Sequence, residues 1–214
     1  MRLFLTNEDH FKHLNECVEA KPRLVNIATY GIWAGIMADG RDTRDWGEKY
    51  RSESREFLER MKVGAGTVRI LIGLYEYKSC KGKATVCQDC ERKYVLDLFR
   101  LMNHAEAFPT FLWKVSSESH AKCTIFHYHD GVPPRAVTGG RNLTDSSWAD
   151  VTVELDKMST IRLDEHFMKM WDSGTKLTPD KISKVVEEQG ISFVEWGVLL
   201  SETKTATHPP AASN

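Results

Sequence analysis

Apolar positions recur along the chain with two periods, and the alternation between them lays out its elements. Phe11, Leu14 and Val18 fall at helical spacing behind Thr6, and Asn7-Glu8-Asp9 places acidic residues in what would be the first turn. This predicts an opening amphipathic helix. Leu24–Ile32 is apolar at nearly every position, as in a central strand buried on both faces. Ser52–Lys62 returns to the helical period with Phe57, Leu58 and Met61 inward, and Gly64-Ala65-Gly66 stops it. Thr67–Leu74 reads as a second buried strand. Strand, helix, strand predicts a right-handed parallel crossover.

The second half changes period more often. Glu91–Ala107 reads as a helix with Tyr94, Val95, Leu98, Leu101 and Met102 inward, closed by Pro109. Thr110–Val115 begins a strand that leads through His120 to Phe126. Arg135–Thr138 is a second strand ending at Gly139-Gly140, and Val151–Leu155 a third, with Glu154 on the face opposite Val153 and Leu155. Ile161–Asp172 is an amphipathic helix with Phe167, Met170 and Trp171 inward, stopped by Gly174. Thr178-Pro179-Asp180 starts a helix through Glu188, and Ile191–Leu200 is an apolar strand or helix suited to the core or to a dimer surface. Residues 201–214, rich in Thr, Ala, Ser and Pro, read as a disordered tail. We therefore expect one α/β domain over residues 1–200, with a mixed, mostly parallel sheet flanked by helices.

Composition narrows the picture. A chain of 214 residues, 41% of them hydrophobic, suits one substantial core rather than two. The 29 basic and 30 acidic residues leave a net charge of −1, without the basic excess of a tight nucleic-acid binder, so any basic groove is local. The short apolar start is interrupted by Asn7, Glu8 and Asp9 and reads as neither a signal peptide nor a membrane span. A cytoplasmic protein without membrane attachment is expected.

The chemistry concentrates between Ser119 and Asp156. Two positions apart on a strand, His120 and Lys122 would share a face, and an imidazole beside an ammonium is a poor core arrangement but a good anion site. Gly139-Gly140 lets a backbone come close to a bound group, and Asn142 adds an amide donor after the turn. A carboxylate such as Glu154 could hold an imidazole in one tautomer.

His120-x-Lys122, then Gly139-Gly140-x-Asn142-Leu143-Thr144, then Glu154, closely resembles the single-motif active site of the phospholipase D superfamily, over about Leu24 to Trp171. The resemblance implies a phospholipase D-like sandwich fold. It also implies a metal-independent phosphodiesterase in which His120 is the nucleophile, Lys122 and Asn142 hold the phosphoryl oxygens, and Glu154 orients His120. Gly139, Gly140 and Thr144 would line the substrate site. The family's Asp five residues after the Lys is His127 here, and its Ser after the first Gly is Gly140. The set His, Lys, Asn, Glu fits the family's nucleases and restriction-enzyme catalytic domains.

The complete motif occurs once, so the acid for the leaving oxygen must come from elsewhere. Single-motif members pair as homodimers with the two histidines facing each other, and His127 or His129 within one subunit is the alternative source. The motif specifies a phosphodiester, and with neither a lipid-binding helix nor a secretory segment in view, nucleic acid is the expected substrate, DNA before RNA. A catalytically weak nucleic-acid-binding or regulatory protein is the alternative.

Two further features sit outside the motif. Asp39–Gly47 is a charged, Gly-punctuated stretch, read either as a solvated connection or as a substrate loop in which Arg41 and Arg44 meet phosphate and Trp46 stacks on a base. Cys80, Cys87 and Cys90, in a Cys-rich insertion over 78–92, offer three soft ligands for a structural zinc, with His104 or Cys17 as the fourth. Free thiols are the alternative.

Overall fold

A computed structural model describes residues 2–29, 47–73, 105, 108–116, 119–140 and 151–176. Its helices are α1 (Asn7–Glu19), α2 (Gly47–Gly64) and α3 (Lys157–Ser173). Its strands are β1 (Arg2–Phe4), β2 (Leu24–Thr29), β3 (Thr67–Gly73), β4 (Leu112–Ser116), β5 (Cys123–His127), β6 (Arg135–Gly139), β7 (Thr152–Glu154) and β8 (Thr175–Lys176). They form one eight-stranded sheet in the order β1-β7-β6-β5-β2-β3-β4-β8.

The α/β character and the parallel β2–α2–β3 unit agree with the sequence pattern. The expected parallel majority does not. Among the described residues only β2–β3 and β3–β4 are parallel, and the other five pairings are antiparallel. The reason is coverage: helices lie on both faces, so even the antiparallel β5 is buried at Cys123, Thr124, Ile125 and Phe126 and shows the unbroken apolar run otherwise typical of parallel strands.

Helices α1 and α3 start where a side chain satisfies orphan backbone groups. Thr6 caps α1 by accepting from the Asp9 amide, and Asp156 caps α3 by accepting from the Ser159 amide. Gly174 ends α3, its N–H donating to the Trp171 carbonyl. One core lies between α1, α2 and one face of the sheet, with Phe11, Leu14, Phe57, Leu58, Met61, Val25, Ile27, Ile70 and Phe126 buried together. The other lies under α3, where Phe167 and Trp171 pack on Ala28, Leu71, Cys123, Ile125 and Ala136. Among the described residues no helix is long and apolar enough to cross a membrane.

Candidate active site

His120 and Lys122 precede β5 rather than lying within it. Residues 119–122 have no regular structure, and the ladder begins at Cys123. The pair nevertheless comes together: Lys122 Nζ stands 3.2 Å from His120 Nδ1, with His120 exposed and Lys122 half-buried. An ammonium can only donate, so Nδ1 is the acceptor and a neutral ring carries its proton on Nε2.

The glycine turn lies against this pair through the backbone. The Lys122 carbonyl accepts from the Gly139 amide at 3.3 Å and from the Thr138 hydroxyl at 3.0 Å, and the Gly140 amide donates to the Val151 carbonyl at 3.3 Å. Gly139 has φ +157°, and a Cβ there would fall 2.2 Å from the Val151 carbonyl oxygen. Only glycine lets β7 approach β6 this closely. The junction of β5, β6 and β7 thus holds His120 and Lys122 at its edge.

Glu154 is placed elsewhere. Its Oε1 accepts from Arg135 Nε at 2.8 Å and its Oε2 lies 3.4 Å from His13 Nε2. Register explains this: Glu154 is opposite Val137, whose side chain belongs to the α1–α2 core, so the carboxylate faces α1. Burial pushes the Glu154 carboxyl up, but the hydrogen bond and charge of Arg135, with His13 and Arg2, outweigh it and hold the group below its ordinary value. Glu154 is therefore a partner of Arg135 and His13, and the structure does not bring it to His120.

His127 ends β5 and His129 lies just past it, at the end of the strand away from His120. The four steps from Cys123 to His127 alone cover about 13 Å of strand, so neither ring shares the His120 end of the strand. His127 Nε2 lies 3.0 Å from Asp164 Oδ1 on α3, and the Asn26 amide donates to the same oxygen at 2.9 Å. His127 thus ties β5 to α3 and is not placed as an acid for the site.

The chain contains a second His-x-Lys, His10-Phe11-Lys12. It lies on α1, where residues two apart point to different sides: His10 is buried, with its Nδ1 3.0 Å from Thr152 Oγ1, and Lys12 is exposed. It is a packing histidine and not a second motif.

Arg41, Arg44, Trp46, Cys80, Cys87, Cys90, His104, Asn142 and Thr144 lie outside the described residues. Cys17 is described and sits at the bottom of the α1 core, its carbonyl accepting from Tyr128 Oη and its thiol held above the ordinary range by burial. Among the described residues no cluster of three or more His, Cys, Asp or Glu could hold a metal.

The sandwich of α1 and α2, mixed sheet and α3 is a phospholipase D-like fold. NucT from Helicobacter pylori superposes with a TM-score of 0.50 at 13% identity, over 82% of this chain and 97% of that one. Two further solved structures are similar at TM-scores of 0.43. Nuc from Salmonella typhimurium, a phospholipase D family member, is 14% identical over 77% of this chain and 88% of that one. TrmBL2, an archaeal chromatin protein, is 11% identical over 82% of this chain and 53% of that one. No protein-family model and no curated protein matches the sequence.

Proposed function

We propose that the chain is a metal-independent phosphodiesterase, an endonuclease on DNA, that works through a phosphohistidine formed on His120. The observation that carries this reading is the exposed imidazole 3.2 Å from a fixed ammonium at a glycine-lined strand junction, in a phospholipase D-like fold. A phosphodiester entering the junction offers non-bridging oxygens that compete for Lys122 Nζ through charge-assisted hydrogen bonds. That frees an imidazole lone pair. The nitrogen attacks phosphorus, the P–O bond to the leaving strand breaks, and Lys122 with Asn142 stabilises the charge on the equatorial oxygens. Water, losing a proton to the group that protonated the leaving oxygen, then attacks phosphorus, the P–N bond breaks and the His120 ring is regenerated.

The leaving oxygen needs a proton, and His10, the imidazole that meets this junction at Thr152, is buried against that hydroxyl. We assign that role to His120 of a second copy, in a homodimer whose two sites share one axis. The Lys122 ammonium does the electrostatic work a metal ion does in other phosphodiesterases, so this chemistry calls for no cofactor. A zinc on Cys80, Cys87 and Cys90 would be structural.

The test is single-turnover cleavage of labelled single- and double-stranded DNA in excess EDTA, with wild type beside His120→Ala and a quench that preserves phosphoprotein. Cutting that survives chelation, vanishes in His120→Ala and leaves an acid-labile, alkali-stable phosphoenzyme is the expected result. Cutting that requires added metal and ignores His120 would refute the mechanism. No cutting of any nucleic acid would leave a binding protein as the better reading.

A further inference from the structure

Because residues 119–122 stand outside the sheet ladder, something other than strand pairing must fix His120 and Lys122. Both bonds to the Lys122 carbonyl come from the end of β6. The Gly139 amide is available whatever the side chain at 138. The 3.0 Å bond from Thr138 Oγ1 is not, since it needs a hydroxyl. Thr138 lies opposite Cys123 in the β5–β6 register, one residue beyond Lys122, so its hydroxyl reaches the carbonyl across the strand gap. It is half-buried, which limits competition from water.

We infer that Thr138 is a positioning residue of the site: its hydroxyl pins the Lys122 peptide and so sets where the ammonium and His120 stand relative to a bound phosphoryl group. The inference rests on the reading of His120 and Lys122 as the phosphoryl site. Two donors fix the carbonyl in direction as well as distance, whereas one leaves the peptide able to swing about a single bond. A displacement of about 1 Å at a reacting group is enough to cost on the order of a hundredfold in rate. The loss of one hydrogen bond, with the Gly139 donor still present, should cost less, about tenfold.

Thr138→Val keeps the β-branched shape and removes only the hydroxyl, and Thr138→Ser keeps the hydroxyl. On the full chain, the expected result is a kcat about tenfold below wild type for Thr138→Val, with KM within about twofold, and recovery in Thr138→Ser. Amide exchange supplies a readout independent of cleavage. Exchange at Gly139, whose N–H shares the Lys122 carbonyl, should quicken in Thr138→Val while Ile125 in the core keeps its protection.

Unchanged Gly139 exchange in Thr138→Val would overturn the proposal, as would wild-type kcat despite quickened exchange. A Thr138→Ser as slow as the valine variant would do so too, since the hydroxyl would then not be the cause. If wild type cuts nothing, the nuclease reading fails on its own account, and the exchange comparison still decides whether Thr138 holds the Lys122 segment.

Discussion

At Gly139 the chain has no freedom of residue choice. The added Cβ of alanine would stand 2.2 Å from the Val151 carbonyl oxygen and 2.8 Å from the Thr152 Cα, both in the backbone of β7, which cannot turn aside as a side chain would. Gly139→Ala must push β6 and β7 apart, and with them the amide that bonds the Lys122 carbonyl. A backbone clash of this kind should cost about 3 kcal/mol of stability. For a domain of this size that lowers Tm by about 6–12 °C in a calorimetric scan. An unshifted Tm would show that β7 yields more easily than its register implies. Residues also carry what the motif alone leaves undecided. A carboxylate in an acidic strand after the glycine turn suits the orienting role, yet the side chain of Glu154 is turned to α1 by its pairing with Val137. Strand parity decides the face, and one residue of register decides parity.

The contact between α1 and the sheet is an element-scale feature with a pH dependence built into it. His13 on α1 is 1% exposed, is stacked on Phe4 of β1 at 4.6 Å, and has Nε2 3.3 Å from Arg135 Nη2 on β6 and 3.4 Å from Glu154 Oε2 on β7. Its Nδ1 is buried without a hydrogen-bond partner, 3.6 Å from Glu16 Oε2. Burial, with the Arg135 and Arg2 charges, outweighs Glu154 and Glu16 and holds its pKa below the ordinary 6.5. The folded chain therefore keeps His13 neutral in a pH range where the unfolded chain protonates it. The stabilising effect is present above pH 6.5 and is lost as pH falls below 6.5 toward the lowered folded value. Glu154 and Asp164, also lowered, add their losses only below their ordinary values of 4.5 and 3.8. Wild type should lose Tm between pH 7 and 5, and His13→Gln should lose less over the same interval. Equal losses would remove His13 from the account.

None of this cluster is legible in the sequence, because His13 and Arg135 are 122 positions apart and neither belongs to a motif. The helices α1 and α2 and the strands β2 and β3 are legible, since their apolar spacing and glycine stops are local signals. The edge strands β1 and β8, three and two residues long, are too short to show a period. The His127–Asp164 pair is half legible. His127 stands out in the sequence five residues after Lys122, but its Asp164 partner on α3 appears only in three dimensions.

For the whole molecule, the balance of 29 basic and 30 acidic residues sets the terms on which it can meet DNA. A binder that relies on a broad basic face neutralises many phosphates and loses affinity steeply with salt. This chain has no such overall excess, and on the function proposed above a few cations hold the phosphodiester. Lys122 stands at the junction, and Arg41 and Arg44, outside the described residues, are the two that the sequence reading adds. If all three contact phosphate, the slope of log affinity against log salt on a short duplex should be no steeper than about −3 per copy bound, roughly a 40-fold loss between 50 and 200 mM. A protein making six or more phosphate contacts would lose about a thousandfold over the same range. Fluorescence anisotropy with His120→Ala, which keeps the cations while blocking turnover, measures this directly. A slope near −3 that falls by about one unit in Lys122→Ala would place Lys122 on a phosphate. A slope near −6 or steeper would mean that surfaces beyond this junction carry the binding, and that near-neutral overall charge conceals a basic face the junction does not include.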